Sequence, residues 1–233
     1  MGELDQVHEF EEENYRQATA LLGDALSLVH DLLDLYALLA ERIPGSGIAH
    51  RDEIVSAAQF LVECRYQLTL GTLATLRGHL TDAYTYARKA IELCAFAARV
   101  KKHPHLAMIW LCAADDDTAY ARYHEKFSPG KLFPEDHALL GKLYDRYDQC
   151  SKMSHPSIYS LSRQIEIDRT TSSLEIKFKY FELRDNDASE PARTFLWTVD
   201  THFGILRIFE EVLADVIARD RLKWEIRQNA VGS

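Results

Sequence analysis

The sequence predicts a mainly α fold, an antiparallel helical bundle with an appended β-hairpin near residues 164–181. Glycine and proline are scarce, at 10 and 6 of 233 residues, which disfavours a turn-rich β architecture. Apolar residues recur at spacings of three and four along most of the chain, as in amphipathic helices. The hydrophobic content of 47% suffices for one sizeable core, so we expect residues 1–233 to form a single helical domain.

The helical elements follow in order from this periodicity and from breaks at proline and glycine. Residues 1–13 are charged and are predicted to be a frayed lead-in. The predicted helices span about 14–43, 52–76, 81–100, 105–114, 116–127, 134–154 and 191–224. Pro134 suits the first turn of its helix, and Pro156 biases the residue before it out of helical geometry.

The helix at 81–100 is apolar around most of its girth, which is typical of the central helix of a bundle. Small residues on it form a seam that would let a neighbouring helix approach closely. The seam comprises Ala83, Ala87, Ala90, Ile91, Cys94, Ala97 and Ala98. We expect a homodimer, formed through this seam or through the last helix.

The hairpin is predicted from two alternating stretches, 164–168 and 174–181, with polar residues 169–173 between them. Because a two-stranded hairpin is marginally stable alone, we expect it to pack on the helices.

Charge and cysteine usage exclude several classes of protein. The net charge is −9, and residues 1–45 hold ten acidic residues against two arginines, so the acidity belongs to the first helix. The four cysteines are isolated in sequence, which disfavours a zinc ribbon and indicates a reducing compartment. With no signal peptide and no segment able to span a bilayer, we expect a cytoplasmic protein without membrane contact. No metal-ligand or phosphate-loop motif is present, so no metal or cofactor is expected.

Tyr147, Ser151 and His155 continue the apolar face formed by Leu140, Leu143 and Tyr144 in the predicted helix at 134–154. Residues spaced by four stand one above another on a helix, and three polar groups in such a place need partners if buried. One interpretation is that they satisfy the carboxyl-terminal backbone of the helix. The other is that they form a binding or catalytic site.

Two arginines are further candidates. Arg65 lies between Leu61 and Leu68 on a predicted apolar face, so it should either form a buried ion pair, with Glu92 or Glu210, or bind an anion. Arg88 and Glu92 stand at i and i+4 on a polar strip, where periodicity alone predicts a solvated pair. The basic stretch 101–105 is expected to be a solvated loop.

Two segments resemble the HEPN superfamily of helical proteins, in particular its DUF5677-like branch. The first is Gly78–Ala83 followed by Arg88–Glu92, and the second is Tyr147–Ser157, with the order Tyr147, Ser151, His155. The likeness covers roughly residues 50–220 in the order of elements. It implies an antiparallel bundle, often dimeric, in which Arg88 and Glu92 turn inward toward His155.

The resemblance frames three functional hypotheses. Active HEPN ribonucleases place an arginine shortly before the histidine, but Asp148, Gln149 and Cys150 occupy those positions here, and the nearest arginine is Arg146. The first hypothesis is therefore a non-catalytic bundle that binds RNA, a protein or another partner. The second is a metal-independent ribonuclease in which His155 is the general acid or base and Arg88 or Arg65 stabilises the phosphorane.

The third hypothesis is a small-molecule pocket between helices. It would be lined by Tyr147, Trp110 and the small-residue seam.

Overall fold

The computed structural model describes residues 2–128, 132–133, 137–154, 165–168, 175–178 and 189–218. Its helices are α1 (Glu3–Leu22), α2 (Ser27–Gly45), α3 (Asp52–Arg77), α4 (Leu80–Lys102), α5 (Leu106–Leu111), α6 (Asp117–Lys126), α7 (Ala138–Ser154), α8 (Ser189–Val212) and α9 (Ala214–Ile217). A 3₁₀ turn, Gly23–Leu26, joins α1 to α2. The mainly helical fold class is confirmed.

A tight hairpin of α3 and α4 forms the centre of the fold. Gly78 ends α3 with φ of +88°, a left-handed conformation that glycine adopts without the penalty paid by other residues. Only His79 separates Gly78 from α4, so the chain reverses and the two helices pack along their length. α7 and α8 also pack against α4, while α2 and α8 pack against α3.

The small-residue seam of α4 is used inside the chain. Six of its seven residues are buried, and Ala98 is half-buried. Since α3, α7 and α8 already surround α4, the prediction of a dimer through this seam is wrong. The expectation that α4 is the central helix agrees with its neighbours on three sides.

The amino-terminal region differs from the predicted frayed lead-in. α1 begins at Glu3 rather than near Asn14 and ends at Leu22, and the next residue, Gly23, has φ of +48°. Glu3 and Asp5 in the first turn favour a helix start, since carboxylates complement the partial positive charge there. Tertiary contacts hold the helix: Glu11 Oε1 lies 2.8 Å from His79 Nε2, and Asn14 donates to the Arg77 carbonyl.

The last long helix is shorter than predicted. α8 ends at Val212, because Leu213 leaves helical geometry at φ −99° and ψ +17°, and α9 then adds one turn. The predicted end at Trp224 and the predicted start at Pro134 of the helix containing α7 lie outside the described residues.

Two short strands, β1 (Ile165–Asp168) and β2 (Glu175–Phe178), pair antiparallel, with Ile165 opposite Phe178 and Asp168 opposite Glu175.

In the described part of the chain, no helix combines the length and apolar character that a membrane span requires.

Candidate functional site

The candidate site lies where α7 packs against α4. Leu140, Leu143, Tyr147 and Cys150 form the buried face of α7. Tyr144 was predicted on this face but is 49% exposed. The buried face of α7 therefore includes Cys150 and excludes Tyr144. Tyr147 is the residue with a polar group that lies on this buried face.

Arg88 of α4 meets Tyr147 at this interface. Its Nη2 donates to the Tyr147 hydroxyl at 3.2 Å, and its guanidinium carbon lies 5.1 Å from the centre of the tyrosine ring. On the other side, Arg88 Nε donates to Glu92 Oε1 at 3.2 Å. Phe133 covers the same ring with a centroid distance of 5.2 Å. One arginine thus joins a carboxylate on its own helix to a phenol on the next.

Arg88 and Glu92 are half-buried, with side chains 23% and 27% exposed. Periodicity alone predicted a solvated pair, and that prediction is wrong because α7 covers this part of the polar strip. Desolvation lowers the pKa of Arg88, but the hydrogen bond to Tyr147 and the charge of Glu92 outweigh it, so the pKa is raised above its ordinary value. The guanidinium is a permanent cation in this setting.

The other members of the predicted stripe differ in position. Ser151 Oγ donates to the Tyr147 carbonyl at 2.9 Å, a bond within the helix that satisfies the hydroxyl locally. His155 lies just beyond the carboxyl end of α7 and outside the described residues. Of the two described residues of the stripe, Tyr147 is the one that donates to or accepts from Arg88 in the contacts given above.

Arg65 is not part of this site. It is exposed on α3 and donates from Nε to the Leu33 carbonyl at 3.3 Å. The predicted buried ion pair is wrong, because Cys64, one residue earlier, takes the core-facing position. Glu92 pairs with Arg88, and Glu210 pairs with Arg207 at 3.4 Å.

Arg146 fastens the opposite side of α7 to α8. Its Nη1 donates to Thr201 Oγ1 at 2.7 Å and to the Trp197 carbonyl at 3.3 Å, while Nη2 pairs with Asp200. The guanidinium also lies 5.6 Å from the Trp197 ring centre. Sequence reasoning considered Arg146 only for its distance from His155. Its acidic and hydroxyl partners lie on a later helix, so the sequence near Arg146 contains no pattern that predicts these contacts.

Cys150 is buried on α7, where the charges of Arg88 and Arg146 both act on its thiol. Burial raises the pKa of its thiol to about 12, although Arg88 and Arg146 act in the opposite direction. The thiol is therefore protonated at neutral pH and is not a nucleophile. Across the described residues, no group of three histidine, cysteine or carboxylate side chains is placed to hold a metal.

The third hypothesis requires Tyr147 and Trp110 to line one pocket, and it stays a prediction. Trp110 packs in an aromatic cluster with Phe60, 4.6 Å between ring centroids, and with Phe96. A cleft lies where the end of α4 meets the start of α7 and the end of α8. The basic stretch that was expected to be a solvated loop contributes Lys101, Lys102 and His103 to its wall.

Sequence reasoning also missed a buried polar pair in the core. His202 of α8 is fully buried, and its Nδ1 lies 2.9 Å from the hydroxyl of Tyr36 on α2. Burial lowers the pKa of His202 to about 3, so the imidazole is neutral. A signal was available, since His202 stands seven residues after Phe195 and seven before Phe209, in the middle of an apolar stripe.

Comparisons with protein-family models, with curated proteins and with solved structures give no match.

Proposed function

We propose that this protein is a HEPN-like helical bundle that binds a partner and does not cleave RNA. The observation that supports the proposal is the state of Arg88, which contacts α7, and of Arg146, which lies on it. Arg88 is engaged by Glu92 and Tyr147, and Arg146 is engaged by Asp200 and Thr201.

The carboxylates paired with these two arginines affect whether either arginine could stabilise a phosphorane. A nuclease arginine stabilises the phosphorane by presenting its donors to developing negative charge. Here Glu92 already neutralises Arg88, and its carboxylate would repel an incoming phosphate. Arg146 faces α8, where the carboxylate of Asp200 neutralises it and would likewise repel a phosphate. The arrangement suits a static contact between helices better than the binding of a transition state.

A metal-independent ribonuclease is the second candidate. One observation favours it: Arg88, on the polar strip of α4, donates to Tyr147 of α7, the helix that precedes His155 in the chain. In this alternative His155 transfers the proton, and Arg88 exchanges Glu92 for the phosphate while Tyr147 and Ser151 position it.

A cleavage assay separates the two candidates. Labelled single-stranded RNA is incubated with the wild-type protein, with His155→Ala and with Lys142→Ala, which changes an exposed residue of α7. We expect the RNA to remain intact with all three proteins. Cleavage by the wild type and by Lys142→Ala that is lost in His155→Ala would overturn the proposal. Equal cleavage by all three would identify a contaminating nuclease and leave the binding proposal standing.

The same proposal includes a homodimer, an RNA or protein partner, a cytoplasmic location and the packing of the hairpin on the bundle.

For the dimer, the sequence suggested two surfaces, and the outer face of α8 is the one that remains. Leu196 is 51% exposed there. Light scattering of the wild type and of Leu196→Glu tests it: we expect a dimer that the substitution weakens, and a monomeric wild type would contradict it.

A further inference from the structure

The amino-terminal part of α1 extends beyond the bundle. Glu11 lies beside His79 at the tip of the α3–α4 hairpin, and Asn14 donates to the Arg77 carbonyl at the same end. Residues 3–10 precede these contacts, so at 1.5 Å per residue they carry the helix about 12 Å past the tip. In this projecting part of α1, Val7 is half-buried and the other residues are exposed.

Three apolar residues lie on one face of the projecting part. Leu4, Val7 and Phe10 are spaced by three, so they fall within a sector about 120° wide. The same sector continues into Ala18 and Leu22, which are buried in the core. Leu4 is 81% exposed and Phe10 is 59% exposed. The face that packs α1 on the bundle therefore continues past the bundle as an exposed apolar surface, and a contiguous surface of this kind marks an interaction site.

The projecting part and the turn after it are strongly acidic. Residues 3–16 contain six carboxylates, and Arg16 is their one arginine or lysine. Arg16 pairs with Glu13 at 2.7 Å. No arginine or lysine in the described part of the chain pairs with Glu3 or Glu9. Negative charge on these consecutive turns is therefore left uncompensated and attracts a cationic partner.

We propose that the projecting part of α1 docks an amphipathic helix of a partner protein, in which lysine or arginine residues flank an apolar stripe. The inference rests on the proposed function, because it gives the binding protein a class of partner. The apolar stripe of the partner packs against Leu4, Val7 and Phe10, as in other helix-to-helix recognition. Its cations lie near Glu3 and Glu9.

The charge of α1 favours a basic protein over two other occupants of this face. The phosphates of a nucleic acid carry the same sign of charge as the helix and would be repelled. A second copy of the chain would meet this face through two-fold symmetry, which brings the carboxylates of two α1 helices together. A basic amphipathic helix incurs neither repulsion.

The test measures peptide binding to the full-length protein by isothermal titration calorimetry. The probe is the basic amphipathic peptide LKKLLKLLKKLLKL with blocked ends. One control peptide has glutamate in place of every lysine, and the other has the same composition in an order without an apolar face. We expect the probe to bind about tenfold more tightly than either control, and added salt to weaken its binding.

Matched variants locate the binding on α1. Leu4→Gln changes the projecting part, and Leu21→Gln makes the same change at the other end of the helix, where Leu21 is 51% exposed. We expect Leu4→Gln to weaken binding of the probe about tenfold, because apolar contact is lost. Leu21→Gln should leave the affinity unchanged. Glu9→Gln should weaken binding about threefold, as expected for one exposed ion pair, whereas Glu41→Gln on α2 should have no effect.

Four outcomes would overturn the inference. The first two are equal affinity for the probe and a control peptide, and equal weakening by Leu4→Gln and Leu21→Gln. The third is binding of single-stranded RNA that Leu4→Gln weakens. The fourth is a dimer that Leu4→Gln dissociates, which would assign the face to a second copy. Cleavage of RNA that is lost in His155→Ala would instead overturn the proposed function, so the two failures are distinguishable.

Discussion

Arg88 donates to the Tyr147 hydroxyl at 3.2 Å while its guanidinium carbon lies 5.1 Å from the ring centre of the same tyrosine. This contact joins the central helix to α7 across 59 residues of sequence. It uses a cation that Glu92 already holds in place. The interface between α4 and α7 is thus polar at its centre and apolar around it, where Leu140 and Leu143 are buried.

Removing the phenol oxygen should destabilise the protein modestly. In Tyr147→Phe the ring remains, but Arg88 loses one acceptor in a half-buried setting, so we expect a loss of about 1 kcal/mol in the free energy of unfolding. Urea denaturation followed by circular dichroism measures it. Tyr144→Phe is the control on the same helix, since Tyr144 is exposed, and should change stability by less than about 0.5 kcal/mol. Equal effects of the two substitutions would contradict the assigned contact.

The neutral His202 makes stability depend on pH. Its pKa is lowered to about 3 by burial, against about 6.5 in an unfolded chain. Between these values the unfolded state binds a proton that the folded state does not. The contribution of His202 is therefore complete above pH 6.5. It is lost as pH falls toward 3, by up to about 1.4 kcal/mol per pH unit.

The imidazole resonances of His202 report this directly. We expect them to stay at the neutral position from pH 8 down to pH 5 in the folded protein. A midpoint near 6.5 would show that the ring is solvated and not buried beside Tyr36.

Two glycine-to-alanine substitutions should have opposite signs. Gly78 has φ of +88°, so Gly78→Ala should cost about 1 kcal/mol through backbone strain. Gly71 lies inside α3, and an added Cβ would meet Tyr86 Cβ at 3.6 Å, an ordinary van der Waals distance. Gly71→Ala should therefore gain about 0.5–1 kcal/mol from helix propensity. Thermal unfolding of both variants checks the pair, and destabilisation by Gly71→Ala would show that α3 and α4 pack more tightly than described.

Thiol labelling should be selective. Cys64, Cys94 and Cys150 are buried, whereas Cys112 is half-buried. The three buried thiols are inaccessible, and burial also raises the pKa of each, so they should resist iodoacetamide in the native protein at pH 8. The hydrogen bond with Asp115 raises the pKa of Cys112 too, so the selectivity follows from accessibility. Mass spectrometry should find a single modified cysteine, at Cys112, and no modification in Cys112→Ser. Rapid labelling of Cys150 would mean that the α4–α7 interface opens readily.

The sequence alone determined most of the helices and the central place of α4. Apolar spacing, proline, and glycine at a left-handed position act over a few residues, so they can be read without the rest of the chain. The start of α1 could not be predicted from the sequence, because the first half of this helix is polar and is held by contacts with His79 and Arg77. The pattern of α7 indicated Tyr147 correctly but placed Tyr144 inside, since a shift of one residue rotates a helix face by about 100°.

Only the tertiary structure decided which charged groups meet. Arg65 and Arg88 were comparable candidates in sequence, yet one donates to the Leu33 carbonyl from an exposed position and the other is half-buried against Tyr147. The partners of Arg146 likewise lie on a helix that is distant in sequence. A side chain's environment is set by the angle and register at which neighbouring helices pack, and those depend on the whole core rather than on local sequence.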